Sequence, residues 1–187
     1  MAKNPNPYGP QALTVQEATN AMAQRRVIRV IPTLDNGTAY TQHDVLFDST
    51  EIPDAVLQPG GCSKLMRVSI HNHMDTTCDI DLVFTQNQAN LGTLNGVAGS
   101  GSLWTEALAK ASKVLGGMQI DSDDNEMDLV NSLLIATPGS LAASGPQYPM
   151  LLQASENSTS VYFAGMDRTG GIDFGANDLE FIFHIEY

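Results

Sequence analysis

From Asp178 to Tyr187 apolar and polar side chains alternate almost without a break. Leu179, Phe181, Phe183 and Ile185 fall on one side of an extended chain, while Asp178, Glu180, His184 and Glu186 fall mostly on the other. Period-two patterning of this kind belongs to a strand with one packed face and one wet face. The segment therefore predicts the closing strand of a sheet, with its end tied into a core.

The same signature recurs upstream. Val27–Ile31 is β-branched and bounded by Pro32, and 39–47 reads as a second strand before a turn-rich stretch, 48–61, that holds Pro53, Pro59 and Gly60-Gly61. Over 64–74, Met66, Val68 and Ile70 face one way and Arg67, Ser69, His71 and His73 the other; 78–85 answers with Ile80, Leu82 and Phe84 inward and Asp79 and Asp81 outward. Matching the apolar faces predicts a hairpin that pairs Ile70 with Ile80, Val68 with Leu82 and Met66 with Phe84, with His71 opposite Asp79. A Gly-rich surface loop over 87–102 follows, then a helix over 103–113 stopped by Gly116-Gly117, then strands over 118–122, 127–137, 148–154, 160–167 and 178–187. Roughly eight to ten short strands at this spacing predict an all-β fold, a jelly-roll-like antiparallel β-sandwich with one short helix. Residues 1–26, with Pro5, Pro7, Gly9 and Pro10, read as an extended N-terminal arm, and 27–187 as a single β-sandwich domain.

Charge narrows the choice of partners. The net charge is −12, yet over residues 1–34 Lys3, Arg25, Arg26 and Arg29 face only Glu17, so this segment is basic and the body acidic. Such a body repels polyanions, which argues against nucleic acid. The basic segment suits an acidic surface, its own or a partner's. No run approaches the ~20 apolar residues of a membrane helix, and the polar, Pro-rich opening has no signal-peptide pattern, so folding in a cytoplasm is expected. Cys62 and Cys78 read as a reduced pair of small buried residues.

Catalytic patterns are weak throughout. His71 and His73 project from one face of a strand and could join Asp75 or Asp79 as metal ligands. Cupin-type metalloenzymes begin their site with two histidines spaced this way, but the glutamate expected four or five residues later is replaced by Thr77 and Cys78. Cross-strand pairing with Asp79 and Asp81 is the simpler reading, so no metal or other cofactor is expected. Asp121–Glu126 has the acidic alternation of a calcium loop, but Glu126 and Ser132 stand where the sixth-position Gly and twelfth-position Glu belong. Gly99-Ser100-Gly101 lacks the lysine of a phosphate loop, and no nucleophile elbow is present. The chain reads as non-enzymatic. Candidate contact residues are Arg25, Arg26 and Arg29 for docking, and Asn95, Gly96 and Trp104 in an interface loop.

Three blocks together resemble a known class. Asp44–Ala55 followed by Pro59-Gly60-Gly61, then Asp79–Phe84 with Leu91–Asn95, then Ser160–Ala164 through the strand ending at Tyr187 are similar to virion structural proteins of tailed bacteriophages. The resemblance runs from about residue 40 to 187, is looser over 99–149, and leaves out residues 1–39. It implies a capsid decoration or cement protein: a β-sandwich that assembles as a homo-oligomer, often a trimer, on the major capsid protein at the capsid surface. A neck, tail or fibre component with a receptor- or glycan-binding role is the alternative it leaves open; apart from the resemblance, His71 and His73 leave a cupin-like metalloenzyme as a less favoured reading.

Overall fold

Strand β10 (Leu179–Glu186) buries Leu179, Phe181, Phe183 and Ile185 and leaves Glu180, His184 and Glu186 half-exposed, as its alternation requires. It lies inside a sheet, between β1 (Arg25–Val30) and β3 (Cys62–Asn72), antiparallel to both. The computed structural model describes residues 24–97, 106–121, 126–136 and 149–187. Its remaining elements are β2 (Val45–Ile52), β4 (Ile80–Thr85), helix α1 (Glu106–Ser112), β5 (Val114–Ile120), β6 (Glu126–Asp128), β7 (Leu133–Ala136), β8 (Met150–Gln153) and β9 (Val161–Asp167).

Two sheets pack face to face. One runs β1-β10-β3-β7-β6, with β8 pairing the first residues of β3; the other runs β2-β9-β4-β5. Strands β1 to β4 alternate between the layers, and β9 and β10 return to lie between β2 and β4 and between β1 and β3. That is a jelly roll, two Greek keys wrapped into an antiparallel sandwich. Between the layers sit the rings of Phe47, Phe84, Phe163, Phe181 and Phe183, all buried, with Phe163 contacting Phe47, Phe181 and Phe183 edge-on at 5.1, 5.1 and 4.9 Å. Burial of each ring contributes on the order of 1.5–3 kcal/mol. Tyr40 packs against Phe174 and donates its hydroxyl to the Leu46 carbonyl at 3.2 Å; burial pushes that hydroxyl up to about 12.

The hairpin expected between 64–74 and 78–85 does not form, because its two strands belong to different sheets. Ile70, Val68 and Ile80, Leu82, Phe84 do meet, but across the core and not edge to edge. Asn72 makes the crossing. Wholly buried, it donates its amide to the Thr76 carbonyl at 2.7 Å and accepts from the Met74 N–H at 2.9 Å, which carries loop 73–79 from one layer to the other. His71 consequently faces Glu180 on β10 and Leu134 on β7, not Asp79.

Other expectations are corrected locally. Met66 points outward: Arg67 pairs with His184 and Leu65 with Ile185, so Met66 is the extra residue of a β-bulge and inverts the side-chain parity of β3. Before the bulge Ser63 and Leu65 point inward, which leaves Cys62 exposed, while Cys78 is buried and its thiol is pushed up to about 12 by burial. The second strand begins later than its sequence suggested and runs to Ile52, through part of the segment read as turns. The strand expected over 127–137 is a hairpin of β6 and β7. Helix α1 ends at Ser112, with Lys113 in the left-handed region (φ 54°), while Gly116 and Gly117 lie within β5. A Cβ at Gly116 would stand 2.6 Å from Met150 Sδ, and at Gly117 2.9 Å from the Leu82 carbonyl oxygen, so these glycines admit close neighbours instead of stopping a helix.

Candidate functional site

Alternation on β1, β10 and β3 sends one set of side chains away from the core, and the set is unusual for so acidic a chain. Arg25, Val27 and Arg29 come from β1, Glu180, Ile182, His184 and Glu186 from β10, and Lys64, Met66, Arg67, Ser69 and His71 from β3. Four of the chain's nine lysines and arginines, Arg25, Arg29, Lys64 and Arg67, gather on this face, and Arg26 adds a fifth cation at its rim.

Carboxylates within the sheet hold most of those cations. Glu186 Oε2 accepts from Arg25 Nε at 3.1 Å and lies 3.0 Å from its Nη2, while Glu186 Oε1 accepts from Lys64 Nζ at 3.2 Å. The hydrogen bonds from Lys64 and Arg25 hold the Glu186 carboxyl below the usual carboxylate range. Arg29 Nη1 donates to Glu180 Oε2 at 2.9 Å. Arg26 has the opposite parity and reaches past the edge of the sandwich to Asp54 Oδ2, also at 2.9 Å. Arg67 forms no ion pair among the described residues. Beside it His184 is lowered by burial and by repulsion from Arg67 and Arg29.

Apolar side chains lie among the charges. Val27 and Ile31 are about half exposed (52% and 51%) and Met66 is 42% exposed. A cleft of about 380 Å³ opens on this face, lined by Arg25, Arg26, Val27, Met66, Arg67 and His184 among others.

At the other end of the face His71, His73 and Glu180 converge. Their nitrogen and carboxylate donor atoms all lie within 4.8 Å of one another, and the two imidazole rings are 4.1 Å apart between centroids. His71 Nε2 lies 3.1 Å from Ser132 Oγ and its Nδ1 3.9 Å from Glu180 Oε2. Burial, then the neighbouring His73, lowers the His71 imidazole against the opposing pull of Glu180.

The remaining sequence candidates lie elsewhere. Asn95 and Gly96 are used internally: the Asn95 N–H donates to the Val45 carbonyl at 2.9 Å, the Gly96 carbonyl accepts from the Val45 N–H at 2.8 Å, and the Asn95 side chain donates to Thr38 O and Asp35 Oδ2 at 3.0 and 3.2 Å. They pin their loop to β2. Trp104, residues 1–23 of the arm and residues 122–125 of the acidic segment lie outside the described residues. Lys64, Arg67 and Glu180 escaped sequence reasoning as site residues. Their outward positions were readable from alternation, but their neighbours depend on β10 lying between β1 and β3.

Buried carboxylates organise turns on the opposite side of the molecule. Asp167, fully buried, accepts from the Gly170 and Thr169 N–H groups at 2.6 and 3.3 Å, and Asp44 accepts from Thr41 N and Oγ1 at 2.7 and 2.6 Å. Burial raises Asp167 against those donors, and it raises Asp81, whose Oδ1 is enclosed with Arg168 Nε 3.5 Å away. The chain matches no protein-family model and no curated protein. Among the described residues no helix is long and apolar enough to cross a membrane.

Proposed function

We propose that the protein is a non-enzymatic virion structural protein, a decoration or cement protein of a tailed-phage capsid. It assembles as a homo-oligomer, a trimer, and lays the basic face of its six-stranded sheet against acidic patches of the major capsid protein. The observation that carries this reading is the gathering of Arg25, Arg29, Lys64 and Arg67 on one face, with Arg26 at its rim, in a chain whose net charge is −12.

Such a face is prepared for exchange. Exposed ion pairs are worth about 0–1 kcal/mol each, so Arg25 and Arg29 can trade their own carboxylates for a partner's at little cost, and steering by opposite charge speeds the encounter. Val27, Ile31 and Met66 supply the apolar contact that the pairs alone lack. A protein surface suits this face better than nucleic acid does. Phosphate binding needs uncompensated cations, and here Glu180, Glu186 and Asp54 already neutralise most of them inside an acidic molecule.

Incubation of the purified protein with expanded capsids lacking decoration is the test. Saturable binding is expected, weakening as salt rises, with a loss of about tenfold or more in the Arg25→Glu/Arg67→Glu variant and an unchanged melting temperature. A strict monomer that ignores the capsid lattice, or a charge-reversed variant that binds as well as the parent, overturns the proposal.

A further inference from the structure

We propose that His71, His73 and Glu180 form a binding site for a divalent transition metal, zinc being the best match, on the outer face of the six-stranded sheet. The inference does not depend on the capsid reading, because it rests on the donor set and its geometry.

Two imidazoles and one carboxylate favour a borderline metal such as Zn²⁺, Ni²⁺ or Cu²⁺ over calcium or magnesium, which take oxygen shells. Ligand atoms about 2.0–2.2 Å from a tetrahedral zinc stand roughly 3.3 Å apart. The three donors here already lie within 4.8 Å of one another, so rotation of the exposed His73, with a small adjustment of the mostly buried Glu180 carboxylate, closes the difference without moving the strands. The backbone supplies the rest. His71 is on β3 and Glu180 directly opposite it on β10, while His73 continues the His71 side of the chain, its N–H held by the Asp178 carbonyl at 2.7 Å.

Two neighbours set how the site behaves. Ser132 Oγ, 3.1 Å from His71 Nε2, can accept a hydrogen bond from Nε2–H and so leave Nδ1, the atom facing Glu180, with its lone pair free for a metal. Arg29 opposes loading, since its guanidinium holds Glu180 Oε2 at 2.9 Å and places a positive charge beside the metal position. Three protein donors leave coordination positions open to water, as in sites that keep a place for a further ligand.

The test uses the full chain, stripped with chelator and titrated with ZnCl₂ by calorimetry, with Co²⁺ absorption as a report on nitrogen ligation. A Cys62→Ser background keeps the exposed thiol from competing. One equivalent of zinc is expected to bind; His73→Ala and Glu180→Gln should each weaken binding about tenfold or more while far-ultraviolet circular dichroism and melting stay as in the parent. Arg29→Gln should tighten binding by roughly threefold to tenfold, a direction that a merely structural role for these residues does not produce. No saturable zinc binding, or binding unaffected by both His73→Ala and Glu180→Gln, overturns the site. Intact capsid docking alongside absent zinc binding would reject this inference and leave the proposed function standing.

Discussion

At the scale of single residues, Gly165 sets the limit on how tightly the aromatic core can close. It lies on β9 opposite Phe47, and a Cβ there would stand 2.4 Å from Phe47 Cε1 and 2.6 Å from its Cζ. The Phe47 ring has nowhere to retreat, because Phe163 and Phe181 each meet it edge-on at 5.1 Å. Gly165→Ala should therefore destabilise the fold by about 1–3 kcal/mol, the usual cost of overpacking, read as a lower urea midpoint with an unchanged slope. Adding Phe47→Leu should recover part of the loss, since the two residues share one space. A Gly165→Ala protein as stable as its parent would mean that the ring sits elsewhere.

At the scale of elements, helix α1 shows how a local rule can be satisfied by the wrong residue. It terminates through Lys113 in the left-handed region, where a side chain costs about 1–2 kcal/mol that glycine avoids. Lys113→Gly should raise stability by roughly 0.5–1 kcal/mol after the extra freedom of the unfolded chain is subtracted, seen as a higher melting temperature. Gly116-Gly117 drew the sequence reading because glycine is the commonest helix stop, yet their absent side chains serve sheet packing. The same distinction governs what was legible overall. Alternation reports which face of a strand is buried, so the core residues of β10 and the sandwich itself could be read directly. It does not report which strand lies alongside, so β3 and β4 looked like a hairpin when they face each other across the core. Nor does it announce a bulge: Met66 is as apolar as the inward residues around it, and only the register against β10 shows it pointing out. For the candidate site, Arg25, Arg29, His71 and His73 were visible as residues. Glu180, which links Arg29 to His71, emerged only once the chain's last strand lay between its first and third.

At the scale of the whole molecule, an acidic body carries one basic face, and titration should show it. His184 sits on that face with Arg67 on β3, Arg25 and Arg29 on β1, and Glu186 two residues along its own strand. Burial and the arginines lower it from 6.5, so the folded protein binds this proton less readily than the unfolded chain does. Its contribution is intact above about pH 6.5 and is lost as the pH falls from there toward the folded-state value. Asp81 and Asp167 are shifted the other way. Being raised, they contribute most below 3.8 and lose that contribution as the pH rises through their folded values, so their slope has the opposite sign. Glu186 is lowered, and its support fades only below 4.5. As the pH falls through the ordinary imidazole value of 6.5, His184 and His71 should lower the urea midpoint of metal-free protein. His184→Gln should make that fall shallower without abolishing it, because His71 is lowered in the same direction. Parallel pH profiles for parent and variant would show that His184 feels neither its burial nor the cations around it, and the basic face would lose the electrostatic coherence on which the proposed docking rests.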